Sequence, residues 1–359
     1  MSLPAGTASR CRTDHDLYQG VEKLDEPMKS IDFIYLSQEE VIQAGLTMSD
    51  TMAIVEDVLK DHAEKYCENP PKPGVHPLAD AFIHAMPAYL PRKNIAGMKW
   101  VSGFFGNPRH GLPSIMGLLA LNDVTTGQPV AVMEAGYITA LRTAALSGVS
   151  ARYLAVAGAK RVGIVGAGIQ GRYNLLSLKE VLPGLQCTRV YDIDSNAAAR
   201  LKDVMQGHVP FEIDIRSSVQ EVFEEADIII TAIGRPKDRI FKEQWVKAGT
   251  LVLPVGPRGW ETAAIGKMDK FVVDDWGQFS HLYDGKGGYY APLPRLSAEL
   301  GEIVTGKKPG RQSPAERIIN FNLGMAIVDI AVANEILARA MRNNLGRVLP
   351  LMKDSLPFL

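Results

Sequence analysis

Arg161-Val-Gly-Ile-Val165 runs straight into Gly166-Ala167-Gly168-Ile169-Gln170-Gly171, and that junction decides the fold. The five residues before the glycines are an apolar run of strand length, and residues 170–182 read as a helix. A strand turning into a helix through Gly-x-Gly-x-x-Gly suits a dinucleotide. The first glycine permits the tight turn, the second lets backbone approach a pyrophosphate, and the third lets helix and strand pack closely. Amides of the helix start, at Ile169 and Gln170, then face the phosphates. Asp192 ends the next strand, 21 positions beyond Gly171. An Asp there accepts hydrogen bonds from both ribose hydroxyls and repels a 2′-phosphate, so NAD is favoured over NADP. Two readings compete with this: Asp192 as a plain turn residue, and Arg200 as a cation near enough to reach a phosphate.

Toward the C-terminus, strand-like runs at 188–191, 211–214, 228–232, 251–254 and 270–273 alternate with helical stretches. Alternation of this kind predicts a parallel, doubly wound sheet. A last helix is expected over about 327–343. Toward the N-terminus, residues 137–156 read as a helix, and 81–132 break into short apolar runs separated by Gly and Pro. Runs at 82–86, 96–101, 114–122 and 129–133 read as strands, the last two joined by a hairpin-like turn at 123–127. Before them come a strand at 31–36, a helix start capped by Ser37, and a helix over 49–67 capped by Ser49. Pro70, Pro71 and Pro73 stop that helix. Residues 1–30 read as a polar, weakly ordered extension, with a start near Met28 as an alternative.

The whole chain has 359 residues, 46% hydrophobic and 22% charged, which is ordinary for a globular protein of about two domains. A net charge of -1 and no long basic run argue against nucleic acid. Cys11, Cys67 and Cys187 are too few and too scattered for a disulfide framework or a zinc pair, so no metal site is expected. No run is long and apolar enough for a membrane span, and residues 1–12 lack the apolar core of a secretory signal. A cytoplasmic protein is the expectation.

Three cations precede the glycine motif. Lys99 interrupts the apolar run 96–101, so it either snorkels from an edge strand or sits in a pocket with a lowered pKa. Arg142 lies in Thr139-Ala-Leu-Arg-Thr-Ala-Ala145, among small and apolar residues, and is read equally as a surface ion-pair partner. Lys72, between prolines, reads on pattern alone as a solvated loop residue.

Several stretches taken together resemble the ornithine cyclodeaminase/μ-crystallin family. They are Ala85-Met-Pro-Ala-Tyr89, Gly97-Met-Lys99, Asn107-Pro-Arg-His-Gly-Leu-Pro113 and Ala140-Leu-Arg-Thr-Ala-Ala145. Trp245-Val-Lys-Ala-Gly-Thr250, Val273-Asp-Asp275 and Gly324-Met-Ala-Ile-Val-Asp329 extend the likeness to residues 31–345. The resemblance implies a two-domain α/β homodimer with a Rossmann doubly wound sheet. Residues 31–142 and 320–359 would form the substrate-binding and dimerisation domain, and 143–319 the NAD-binding domain. It implies an NAD(P)-dependent oxidoreductase that moves hydride between nicotinamide and the α-carbon of a small amino or imino acid. In that family Lys99 and Arg142 would be the active-site cations, with Met86 lining the pocket and Thr143 beside the cofactor. Two other activities exist within the resemblance: a cyclodeaminase that releases ammonia, and a crystallin-like NAD(P)H binder without turnover.

The chain departs from the family pattern in four places. Lys72 stands after Pro70-Pro71 where an Arg is common, giving a point charge in place of a bidentate fork. Arg258, in Val255-Gly-Pro-Arg-Gly259, replaces an Asp that serves as a base in cyclodeaminases, leaving Asp275 or Glu261 as other candidates. Arg258 could instead bind a second carboxylate on a larger substrate. Phe321-Asn-Leu-Gly324 replaces an Asp-Ser-Thr-Gly. Residues 281–290, rich in aromatics and glycine, read as a surface loop or as a lid over an enlarged pocket.

Overall fold

A computed structural model describes residues 30–283, 290 and 294–353. The expected extension before residue 30 and most of the 281–290 segment therefore lie outside the described residues. The chain starts with β1 (Ile31–Leu36), α1 (Gln38–Gln43) and α2 (Met48–Ala63). β2 (Gly74–Val75), β3 (Ala81–Leu90), β4 (Ile95–Phe104), β5 (Ile115–Asn122) and β6 (Pro129–Glu134) follow, then the long α3 (Gly136–Leu154). Ser37 caps α1 through a reciprocal bond pair with Glu40. For α2 the cap is Thr47 rather than Ser49, because Thr47 and Asp50 complete the same reciprocal pair and start the helix two residues earlier.

In β4 the two-residue period is plain: Ile95, Lys99 and Val101 point inward, while Met98 and Trp100 are exposed. β3 pairs antiparallel with β4, and β4 with β5, so β4 is an interior strand with neighbours on both sides. With β1, β2 and β6 these strands form a mixed seven-stranded sheet, bounded at one edge by β15 (Arg347–Met352) against β1 and at the other by β2 against β3.

From β7 (Arg161–Val165) the chain alternates: α4 (Ile169–Val181), β8 (Cys187–Tyr191), α5 (Ser195–Met205), β9 (Glu212–Ile215), α6 (Val219–Phe223) and β10 (Ile228–Thr231). β11 (Leu251–Pro254), α7 (Thr262–Gly266), β12 (Lys270–Val273), α8 (Trp276–Tyr283), β13 (Ala298–Glu299), α9 (Leu300–Val304) and β14 (Ile318–Phe321) complete the set, before α10 (Ala326–Arg342). The order β13-β12-β14-β11-β10-β7-β8-β9 is parallel at every pairing. β10 and β11 are buried at every position, as strands covered on both faces must be.

Two helices tie the sheets together. α3 is buried almost all round, between α2, α4 and α10. α10 lies across β3, β4 and β5 and packs on α2 and α3. Both carry one charge into the interior, Arg142 on α3 and Asp329 on α10, and those two meet.

Candidate active site

At the carboxyl end of β7 the three glycines occupy different surroundings. Gly166 has φ +104°, and a Cβ there would meet Ala232 O at 2.3 Å; one on Gly171 would meet Gly166 O at the same distance. Both glycines are thus demanded by the packing of turn, helix and strand. Around Gly168, by contrast, a Cβ would meet nothing within 4 Å. Gly168 and Ile169 are exposed at the start of α4, which has no side-chain cap, so the first amides of a thirteen-residue helix open toward solvent. Such amides suit a phosphate group. Asp192 is half-buried at the end of β8, where Oδ2 accepts from Ala167 N–H at 2.7 Å and Oδ1 from Asp194 N–H at 2.9 Å. Its carboxylate is therefore fixed beside the glycine turn. Arg200 pairs with Asp194 at 3.1 Å.

The interior cations gather on one carboxylate. Asp329 Oδ1 takes Lys99 Nζ at 2.6 Å and Arg142 Nε at 2.9 Å, with Lys99 and Asp329 almost wholly buried. Since β4 is an interior strand, the edge-strand alternative for Lys99 does not apply. Burial pushes the Lys99 ammonium down to about 7, although Asp329 opposes this. Burial pushes Asp329 up, but Arg142 and Lys99 more than reverse it and hold the carboxyl below its ordinary range. Asp329 Oδ2 is buried and has no hydrogen-bond partner among the described residues.

Lys72 reaches the same place from the other side. Its ammonium donates to Leu323 O at 2.9 Å and Gly324 O at 3.2 Å, so the solvated-loop reading fails. Its side chain reaches inward although the flanking Pro70, Pro71 and Pro73 are exposed, and burial pushes its ammonium down to about 8. Gly324 is the hinge of the arrangement. It has φ +84°, and a Cβ there would lie 2.6 Å from an Arg142 guanidinium nitrogen. Asp274, at the end of β12, accepts from Gly324 N–H at 2.7 Å and is pushed up to about 6 by burial, against the pull of Lys72. Met86 is buried on β3 as the register partner of Lys99, and Thr139 Oγ1 lies 3.4 Å from Lys99 Nζ. Thr143 is buried one turn further along α3, its hydroxyl donating to Thr139 O.

Other candidates lie outside this cluster. Arg258 is half-buried on the loop after β11. Asp275 is tied to His62 at 3.2 Å and Asn69 at 2.7 Å; burial raises its carboxyl, but those bonds leave it below its ordinary value, unsuited to a base. Glu261 is the N-cap of α7. Asp329 and Asp274 were not singled out by sequence reasoning. Their signal was there: an acid inside Ala-Ile-Val-Asp-Ile-Ala, and another directly after a buried strand.

The sequence model of the ornithine cyclodeaminase/mu-crystallin family matches residues 34–344. The nodulation efficiency protein NfeD of Rhizobium meliloti is 38% identical over 321 residues, covering 88% of this chain and 98% of that protein. The Δ1-pyrroline-2-carboxylate reductase of Thermococcus litoralis, solved with NADH and L-proline, is 30% identical. It superposes with a TM-score of 0.82 over 88% of this chain and 99% of its own. An archaeal alanine dehydrogenase dimer with bound NAD is 31% identical, with a TM-score of 0.80 over 90% of this chain and 100% of its own.

Proposed function

The chain belongs to the ornithine cyclodeaminase/mu-crystallin family, and from that premise we propose that it is an NAD-dependent oxidoreductase acting at the α-carbon of an amino or imino acid. One observation carries the reading: two lysines and an arginine converge on a buried Asp329–Gly324 unit between the two sheets. Three cations so enclosed are expensive without an anion to receive, and an α-carboxylate is the anion that relatives with bound proline or alanine activity would share.

NAD fits the carboxyl end of β7, held by the amides of Gly168 and Ile169 and by Asp192, and when bound it supplies or accepts the hydride. The chain's own residues do the rest. Lys72 and Arg142 flank Gly324 and hold the substrate carboxylate, Arg142 through its planar fork and Lys72 as a point charge. Asp329 Oδ2 accepts the N–H of the substrate nitrogen, which gives that buried oxygen its partner. Lys99, its ammonium brought near neutrality, carries the proton and steadies charge at the nitrogen. Met86 lines the pocket beside it. The expected boundary at 319/320 moves past β14, whose Asn320 and Phe321 pair with β12 in the parallel sheet: the first sheet with α10 acts as the substrate-binding part, and the parallel sheet from β7 to β14 as the NAD-binding part.

The test follows NADH absorbance with cyclic imino acids and with α-keto acids plus ammonia, alongside ammonia release from ornithine and lysine. Net NADH consumption with any member is expected. Ammonia release from a diamine without net NADH change would replace this reading by the cyclodeaminase one.

Assembly follows from the other face of the first sheet. Met98, Trp100, Leu112 and Leu118 are exposed there, around a shallow depression that also takes in Met116 and Phe104. An apolar patch of this kind on an antiparallel sheet marks an interface. We assign it to a second copy of this chain, as the dimeric alanine dehydrogenase relative suggests. Light scattering is expected to give twice the 39.1 kDa chain mass, and Trp100→Glu to give the monomer. A monomeric parent chain would refute this. Among the described residues no helix is long and apolar enough to cross a membrane, and a cytoplasmic location with ready NAD is part of the same reading.

A further inference from the structure

On β3, Phe82, His84 and Met86 share the inward face, in a row that ends beside Lys99, the register partner of Met86. Phe82 stacks on His84 with ring centres 4.3 Å apart, in space left by Gly103, where a Cβ would stand 2.2 Å from the Phe82 ring. Over Phe82 comes a residue from the other sheet: the Arg235 guanidinium lies 5.0 Å from that ring centre and 5.9 Å from that of Phe105. Its loop follows β10 and rests on Phe105, since a Cβ on Gly234 would be 3.2 Å from that ring. The two rings hold the Arg235 cation on the same side of β3 as His84, and a guanidinium there can form charge-assisted hydrogen bonds to a carboxylate.

The neighbouring loop carries a second arginine. Thr231 of β10 and Pro254 of β11 are register partners, and Arg235 and Arg258 each follow four residues later. The loops touch, since a Cβ on Gly256 would be 3.3 Å from Ile233 O. His76 stands edge-on to His84 at 6.1 Å. Apart from burial, the groups that push the His84 imidazole down to about 4 are Lys72, His76, Arg235 and Lys99, all cationic or potentially so. The nearby carboxylates Asp274 and Asp329 are engaged with Gly324 and with Lys99 and Arg142.

We propose that the substrate carries a second carboxylate, received by Arg235 with His84 at the far end of the Phe82–Met86 row. This rests on the amino/imino acid reading above, which places the α-carboxylate at Lys72 and Arg142. His84 and Met86 are two residues apart on β3, so the second group sits about 7 Å further along the strand. That spacing fits an α-imino or α-amino diacid of five to seven carbons.

The experiment compares three diacids (2-oxoglutarate, 2-oxoadipate and 2-oxopimelate, each with ammonia and NADH) with the monoacids 2-oxopentanoate, 2-oxohexanoate and 2-oxoheptanoate. Calorimetric binding of the same six acids to the enzyme–NADH complex is measured alongside. For at least one chain length the diacid is expected to exceed its monoacid by roughly 30-fold in kcat/KM and in affinity, the size of a charge-assisted pair. Arg235→Gln is expected to bring that ratio within about threefold. Equal or better monoacids, or a diacid preference that survives Arg235→Gln, would overturn the proposal while leaving the oxidoreductase reading intact. If none of the six is turned over, the calorimetric ratio and its loss in Arg235→Gln still decide the second carboxylate, and the oxidoreductase reading is decided by the cyclic imino acids of the test above.

Discussion

Lys99→Ala is expected to lower kcat by roughly a thousandfold while NADH affinity stays within about twofold. The reason is geometric. Lys99 Nζ is held 2.6 Å from Asp329, on an interior strand, and is almost wholly buried, so no neighbour or bulk water can take its place. The nucleotide motif lies on another sheet, at Gly166 to Gly171, and should not feel the change. Lys99 also sets a pH profile. With its ammonium pushed down to about 7, the protonated form that serves imine reduction dominates below that pH. The kcat/KM for reduction is therefore expected to fall as pH rises through about 7, and Lys99→Ala to flatten that limb. Stopped-flow NADH fluorescence gives the binding term and steady-state kinetics the turnover. Unchanged turnover would remove Lys99 from the chemistry.

Asp329→Asn should be the most damaging substitution for stability among those that preserve side-chain size. Asn keeps the shape but leaves Lys99 and Arg142 facing each other without an anion in a site closed to water. Lys99 can shed its proton there; Arg142 cannot. Removing one partner of a buried pair costs about 3–5 kcal/mol, and here two cations depend on one carboxylate. Urea unfolding of the NADH-free protein reads this as a lowered midpoint at unchanged slope. A control is Glu64→Gln, which removes one of the two carboxylates paired with Arg92 at the exposed end of α2 and leaves Asp61, and is expected to leave the midpoint in place. An Asp329→Asn midpoint equal to the parent's would mean that the cluster does not depend on Asp329.

The sequence carried the parallel sheet clearly because its signals are local. An apolar pentad, three glycines and an acid at the next strand end all fall within Arg161 to Asp192. The first sheet's inner strands were equally legible from alternation and turns. What escaped was short or set by distant partners. β14 is four buried residues with no period to read, and β15 is an exposed edge strand whose pairing with β1 joins the two ends of the described chain. The site divides the same way. Lys99 was visible as a charge in an apolar run, but choosing between edge and pocket needed the strands on either side of β4. Asp329 meets Arg142 across 187 positions, and Lys72 meets Gly324 across 252. Arg235, in Gly-Arg-Pro-Lys, carried no signal in the sequence, because its neighbour Phe82 lies more than 150 positions away.

The central claim is hydride transfer to the α-carbon, and isotopic labelling reaches it most directly. The enzyme is incubated with NADH deuterated at the transferable C4 position and the imino acid that consumes NADH fastest, and the product is examined by mass spectrometry and proton NMR. The account predicts an amino acid one mass unit heavier, with its α-proton signal absent. Product without deuterium at the α-carbon, or no NADH consumed with any imino acid, would contradict it.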